Sequence, residues 1–214
     1  MSALKKTILV LGLILAIVII VLAVAIYKKN HTPEVAAPSQ PVTEQHAEQP
    51  PSPAIPTVKT YDNHDSRYSI QYPADWSYDA SSEGTVVFSG KEGTSSFYST
   101  VNIQTILTKK MGGDYANVKQ FITDIKKQAA HQSKQVKFLE AGPLTIPQAD
   151  GSKAKGEYLT FTYHYKDIEF KQWQIVVLRS DNQVFYAWAY TAPIQLYQND
   201  LSVAQTMLKS WSIY

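Results

Sequence analysis

The chain has 214 residues, 44% of them hydrophobic, and a formal net charge of +2. That length allows one ordinary domain plus appendages. It contains no cysteine, which excludes disulfide frameworks, thiolate metal sites, cysteine nucleophiles and a cysteine-linked lipid anchor. The charge is unevenly placed: Lys5, Lys6, Lys28 and Lys29 stand alone in residues 1–29, and Lys59 faces Glu34, Glu44 and Glu48 in residues 30–60. Residues 61–214 balance to zero, so they offer no field to attract nucleic acid, and no nucleic-acid partner is expected.

The first element is the uncharged run Ile8–Ile26, rich in Leu, Ile and Val. As a helix rising about 1.5 Å per residue it would be about 28 Å long, matching the hydrocarbon core of a bilayer. Lys5 and Lys6 flank one end; Tyr27, Lys28 and Lys29 flank the other, as interfacial anchors do. A single-pass membrane anchor is therefore expected over residues 1–29, with the bilayer as partner of residues 8–26. The alternative is a signal cleaved near Ala25, since Ala23-Val24-Ala25 has a small-x-small pattern. In that case the protein would be secreted and soluble. The positive-inside rule narrowly favours a cytoplasmic N-terminus and an extracytoplasmic remainder at the plasma or inner membrane.

Residues 30–60 hold Pro33, Pro38, Pro41, Pro50, Pro51, Pro53 and Pro56 among Ala, Thr, Ser, Gln and Glu. Proline removes backbone donors and fixes φ, so neither helix nor sheet propagates. Too little apolar surface is present to offset ordering entropy, and a disordered, semi-rigid spacer is expected.

The globular domain is expected at 61–214. Tyr68–Tyr72 alternates apolar and polar residues, a strand pattern stopped by Pro73-Ala74-Asp75-Trp76. Thr85–Phe88 and Thr100–Leu107 are further strands, and Gly112-Gly113 reads as a plain turn. Val118, Phe121, Ile122, Ile125 and Ala129 then form one helical stripe, with Asn117 or Asp114 as cap. Four extended segments follow: 136–146, interrupted by Gly142-Pro143; 153–165; 168–178; and 184–191. Short turns between them indicate an antiparallel meander. A last helix is expected to start near Pro193 and carry Tyr197, Leu201, Ala204, Leu208 and Trp211 as its stripe. Late strands apolar on both faces imply a sheet covered on both sides. The fold class is α+β: an antiparallel sheet of about six or seven strands flanked by helices.

Several segments in order resemble the PsbP-like family, which includes the extrinsic PsbP protein of photosystem II and a small yeast Ran-binding protein. Ser69-Ile70-Gln71-Tyr72-Pro73-Ala74-Asp75-Trp76 is similar to the family's opening strand and Y-P-x-x-W element. Val101-Asn102-Ile103, Phe185-Tyr186-Ala187-Trp188-Ala189-Tyr190 and Ser210-Trp211-Ser212-Ile213 resemble its later strands and closing segment. The resemblance spans about residues 61–214. It implies an α/β/α sandwich and a non-enzymatic accessory or docking role, without specifying the partner.

Chemistry-bearing clusters are few. Asp62, His64 and Asp65 have ligand-like spacing, but Asn, Asp and Ser around a domain edge read more simply as solvated turn. No metal site and no cofactor is expected. Tyr163, His164, Tyr165, Asp167 and Glu169 form the best candidate binding cluster, at a hairpin end. No G-x-S-x-G or H-E-x-x-H occurs, and no catalytic residue is assigned. The sequence therefore favours a membrane-tethered binding or accessory module that docks a protein in the cell envelope. The alternative is an envelope hydrolase using His164 with Asp167 or Glu169.

Overall fold

The computed structural model describes residues 57–133 and 135–214. The expected spanning run, the cleavage point near Ala25 and the proline-rich segment up to residue 56 lie outside them. Among the described residues, no helix is long and apolar enough to cross a membrane.

Among the described residues, ten strands and two α-helices follow in order: β1 (Val58–Asn63), β2 (Tyr68–Pro73), β3 (Ser77–Asp79), β4 (Thr85–Ser89), β5 (Thr100–Leu107), α1 (Val118–Gln132), β6 (Lys137–Pro147), β7 (Lys153–Tyr165), β8 (Ile168–Leu178), β9 (Val184–Pro193), α2 (Leu201–Ser210) and β10 (Ser212–Ile213). Seven form one antiparallel sheet ordered β3-β4-β5-β9-β8-β7-β6. The other three form a small sheet, β1-β2-β10. The fold is thus α+β, but the single expected sheet is two: Tyr68–Tyr72 pairs with β1 and β10 rather than joining the large sheet. Local alternation identifies a strand without identifying its partner.

Strand β9 explains the layering. It lies between β5 and β8, and all its residues are buried. Val184, Tyr186, Trp188, Tyr190 and Ala192 enter one core with Tyr68, Ile70, Tyr72, Trp76, Met207 and Trp211. This core lies under the small sheet and α2. Phe185 and Ala187 enter the opposite core with Phe121, Ile122, Ile125 and Ala129 of α1. A central strand covered twice must be apolar on both faces, as its sequence is. Helix α1 matches its predicted stripe, and Asn117 caps it by accepting from the Gln120 N–H at 2.9 Å.

Two expectations are corrected. Gly142-Pro143 does not interrupt β6, which runs continuously to Pro147. As an edge strand β6 has an unpaired side, so a proline costs it no ladder bond when its ring faces outward. The last helix does not start near Pro193, which instead ends β9 opposite Phe170. Turns closed by Leu196 N–H to Pro193 O and Asn199 N–H to Leu196 O intervene, and α2 begins at Leu201. Tyr197 is buried, but against Tyr190 from a turn rather than on a helical stripe.

Candidate functional site

The strand period divides the predicted cluster. Tyr163 and Tyr165 point to the α1 side of the sheet, whereas His164 points to the other. Tyr163 is core: it is 7% exposed, stacks on Phe170 at 5.6 Å between centroids, and its hydroxyl is held well above the usual range by burial. His164 and Glu169 are direct cross-strand neighbours in the β7–β8 register, so they share a face. Asp167 sits exposed in the tight turn between the strands, beside Lys166, whose φ is 52°. Lys166 Nζ lies 5.6 Å from the Tyr165 ring centroid. The hairpin end thus brings His164 and Glu169 together, but it does not gather all five residues into one pocket.

His164 is anchored to the helix layer through its backbone. Its N–H donates to Ser133 Oγ at 3.2 Å, tying the C-terminal end of α1 to β7. Its Nδ1 is buried with no hydrogen-bond partner among the described residues.

Beside this hairpin lies the feature that the sequence reading missed. Among the described residues, strand β6 pairs only with β7, and it carries Phe138 at 43% and Leu139 at 52% exposure. The register slips between Phe138 and Ala141, displacing Leu139 and Glu140 from regular pairing. Thr160 accepts the Glu140 N–H at 3.1 Å and so stabilises the irregularity from β7. Phe138 packs on Phe161 at 5.9 Å, and Lys126 Nζ stands 5.8 Å from the Phe138 ring. Pro143 and Pro147 blunt the far half of the edge, leaving Lys137–Gly142 open. Two prolines inside a strand-like run were the available signal for an edge.

The fold is similar to that of cyanobacterial PsbP. The solution structure of that protein, from Synechocystis sp. PCC 6803, is 14% identical with a TM-score of 0.53, and the match covers 78% of this chain and 98% of that one. Weaker similarity extends to the Saccharomyces cerevisiae Ran-binding protein Mog1p, 8% identical with a TM-score of 0.49 over 74% of this chain and 96% of that one. It extends also to Mycobacterium tuberculosis LpqN, described as involved in cell envelope biogenesis, 15% identical with a TM-score of 0.43 over 73% and 90%. No family model matches the sequence, and no curated protein matches it.

The Asp62–His64 edge forms a small polar cluster. Tyr214 donates to Asp62 and its hydroxyl lies 3.5 Å from His64 Nδ1, while His64 Nε2 is 3.7 Å from Asp62 Oδ2. The hydrogen bond to Asp62 pushes the Tyr214 hydroxyl up to about 12. Among the described residues, no three His, Cys, Asp or Glu side chains are grouped to hold a metal ion.

Proposed function

We propose that the chain is a membrane-tethered module that docks a protein partner on the extracytoplasmic side of the cell envelope, and that it binds rather than catalyses. The carrying observation is the open Lys137–Gly142 half of β6, with Phe138 and Leu139 exposed at consecutive positions along it. An unpaired strand edge offers backbone donors and acceptors to an extended segment, and adjacent apolar side chains supply the burial that makes such pairing stable. The apolar run 8–26 and the proline-rich spacer would hold this edge at a distance from the bilayer. The PsbP-like fold is compatible with an accessory role, although a fold alone does not specify function.

The test is site-specific photocrosslinking in native membranes. A photoreactive side chain at Leu139 should capture a discrete partner, and the same group at Ser202, exposed on α2, should not. Leu139→Lys should abolish capture by a probe at Phe138 without lowering the melting temperature. Equal yields from Leu139 and Ser202 would refute docking at β6. A hydrolytic turnover lost in His164→Ala would refute the non-enzymatic reading.

A further inference from the structure

The connection from β5 to α1 is held rigidly at its root and carries exposed apolar and cationic side chains at its tip. Thr108, 3% exposed, is the root. Its N–H donates to Gln183 O at 2.9 Å, and its hydroxyl donates to Asn182 O at 2.9 Å. Its own carbonyl accepts from Met111 N–H and Gly113 N–H, both at 2.9 Å. Lys109 N–H donates to Tyr115 O at 2.7 Å, and the buried Tyr115 ring stacks on Phe121 of α1 at 4.4 Å. Glycine is required twice. Gly112 adopts φ 92°, and a Cβ on Gly113 would lie 1.9 Å from Leu107 O. Together these contacts fix the 3-10 turn Lys109–Met111.

None of that scaffold uses the side chains at the tip. The turn buries no residue. Leu107 is 50% exposed and Met111 44%, and Lys109 and Lys110 between them are exposed. Neither lysine makes an ion pair among the described residues. The nearby acids are Asp114 within the connection, Asp181 in the adjoining β8–β9 turn, and Glu83, beside the Gly84 carbonyl that accepts Thr105 N–H. Asp181 is already matched by Arg179 at 2.8 Å and Arg67 at 3.8 Å. Held in water, two large apolar side chains gain nothing from this arrangement. A surface that is anionic at its face and apolar beneath suits both residue types.

We infer that residues 107–111 contact an anionic lipid surface. Leu107 and Met111 enter the boundary between headgroups and acyl chains, and Lys109 and Lys110 keep their ammonium groups at the phosphates. The turn is shaped before contact, so binding orders little further chain. This contact rests on the membrane-tethered reading for a bilayer within reach. The chain enters the domain at Val58, and the turn lies toward the other end of β1, where Arg67 meets Asp181. Residues 30–56, at about 3.1 Å each, would reach about 80 Å, roughly twice the width of a domain of this size. The β6 edge plays no part, lying four strands from β5.

The chain contains no cysteine, so Met111→Cys gives a single site for an environment-sensitive fluorophore. The test places the labelled full chain in nanodiscs of phosphatidylcholine, alone or mixed with phosphatidylglycerol, with brominated acyl chains as quencher. In the anionic discs the emission should shift to the blue and be quenched, and high salt should reverse both. The same label at Ser202→Cys, exposed on α2, should show neither change. With the label kept at 111, Lys109→Gln and Lys110→Gln should each lower the ratio of inserted to solvated turn about fivefold. Leu107→Ser should lower it about five- to tenfold. Lys91→Gln, near the opposite end of β5, should not. The substituted side chains are exposed, so these variants should melt with the wild type. If the chain does not stay in discs, the tethering reading fails, and the labelled chain is added to vesicles of the same two compositions, where it must still bind the anionic ones alone. Solvent-like emission at 111 in every lipid would overturn the inference. So would equal, salt-insensitive insertion into neutral and anionic lipid, or a photoreactive group at 111 that captures a protein in native membranes instead of lipid.

Discussion

Tyr186→Phe isolates one hydroxyl that joins three distant segments. Tyr186 is fully buried on β9, with its ring edge-on to Tyr68 and Trp211 at 5.8 Å from each. Its hydroxyl donates to Ser66 O at 2.5 Å in the β1–β2 turn and accepts from Arg179 Nη1 at 3.3 Å. Phenylalanine keeps both ring contacts and removes both hydrogen bonds. Arg179 is 7% exposed but retains Asp181 through Nε and Nη2, and half-buried Ser66 can turn to water. The loss should therefore be nearer one unsatisfied group than two, about 2 kcal/mol. For a domain of this size that lowers the melting temperature by about 4–8 °C. Thermal unfolding followed by near-ultraviolet circular dichroism reads the shift. A change within about 1 °C would refute the view that this hydroxyl stabilises the junction of β1, β2 and β9.

The Asp181 carboxyl gives a pH test. Burial alone would raise its pKa, but hydrogen bonds from Arg179 and the Gln183 N–H outweigh that and hold it below the usual carboxylate range. Its contribution to stability is present above about pH 3.9, the unfolded value, and is lost as pH falls through the lower folded value. Asp181→Asn should therefore flatten the acid limb of a urea-unfolding series between pH 2 and 5, and an unchanged limb would contradict the assignment. Gly156→Ala should destabilise by about 3 kcal/mol in the same assay. Its Cβ would lie 2.2 Å from Val176 O and 2.6 Å from Val177 Cγ1. Gly151→Ala has open space at φ 80° and should cost only about 1 kcal/mol of left-handed backbone strain. Phe185→Ala, emptying a fully buried site against Phe121, should cost about 3–5 kcal/mol.

Period and punctuation made much of the secondary structure legible. The stripe from Val118 to Ala129 and the alternation through β5, β7, β8 and β9 are local properties, and each became the expected element. Pro193 misled because a proline suits a helical first turn and a strand end alike, and only its pairing with Phe170 separates the two. The candidate cluster around His164 consists of five near neighbours in sequence, yet strand alternation sends Tyr163 into the core and leaves His164 on the opposite face with Glu169.

By itself the amino-acid order determined the apolar run, the proline-rich composition of residues 30–60, a neutral α+β domain and its doubly covered central strand. These follow from composition and short-range periodicity, which need no knowledge of partners. Tertiary structure alone decided that β2 leaves the large sheet for a small one and that β6 stands at an edge. It alone pinned the turn at residues 107–111 through Thr108 to Asn182, 74 positions along the chain. Strand order and register depend on contacts between residues far apart in the chain, and no local pattern encodes them.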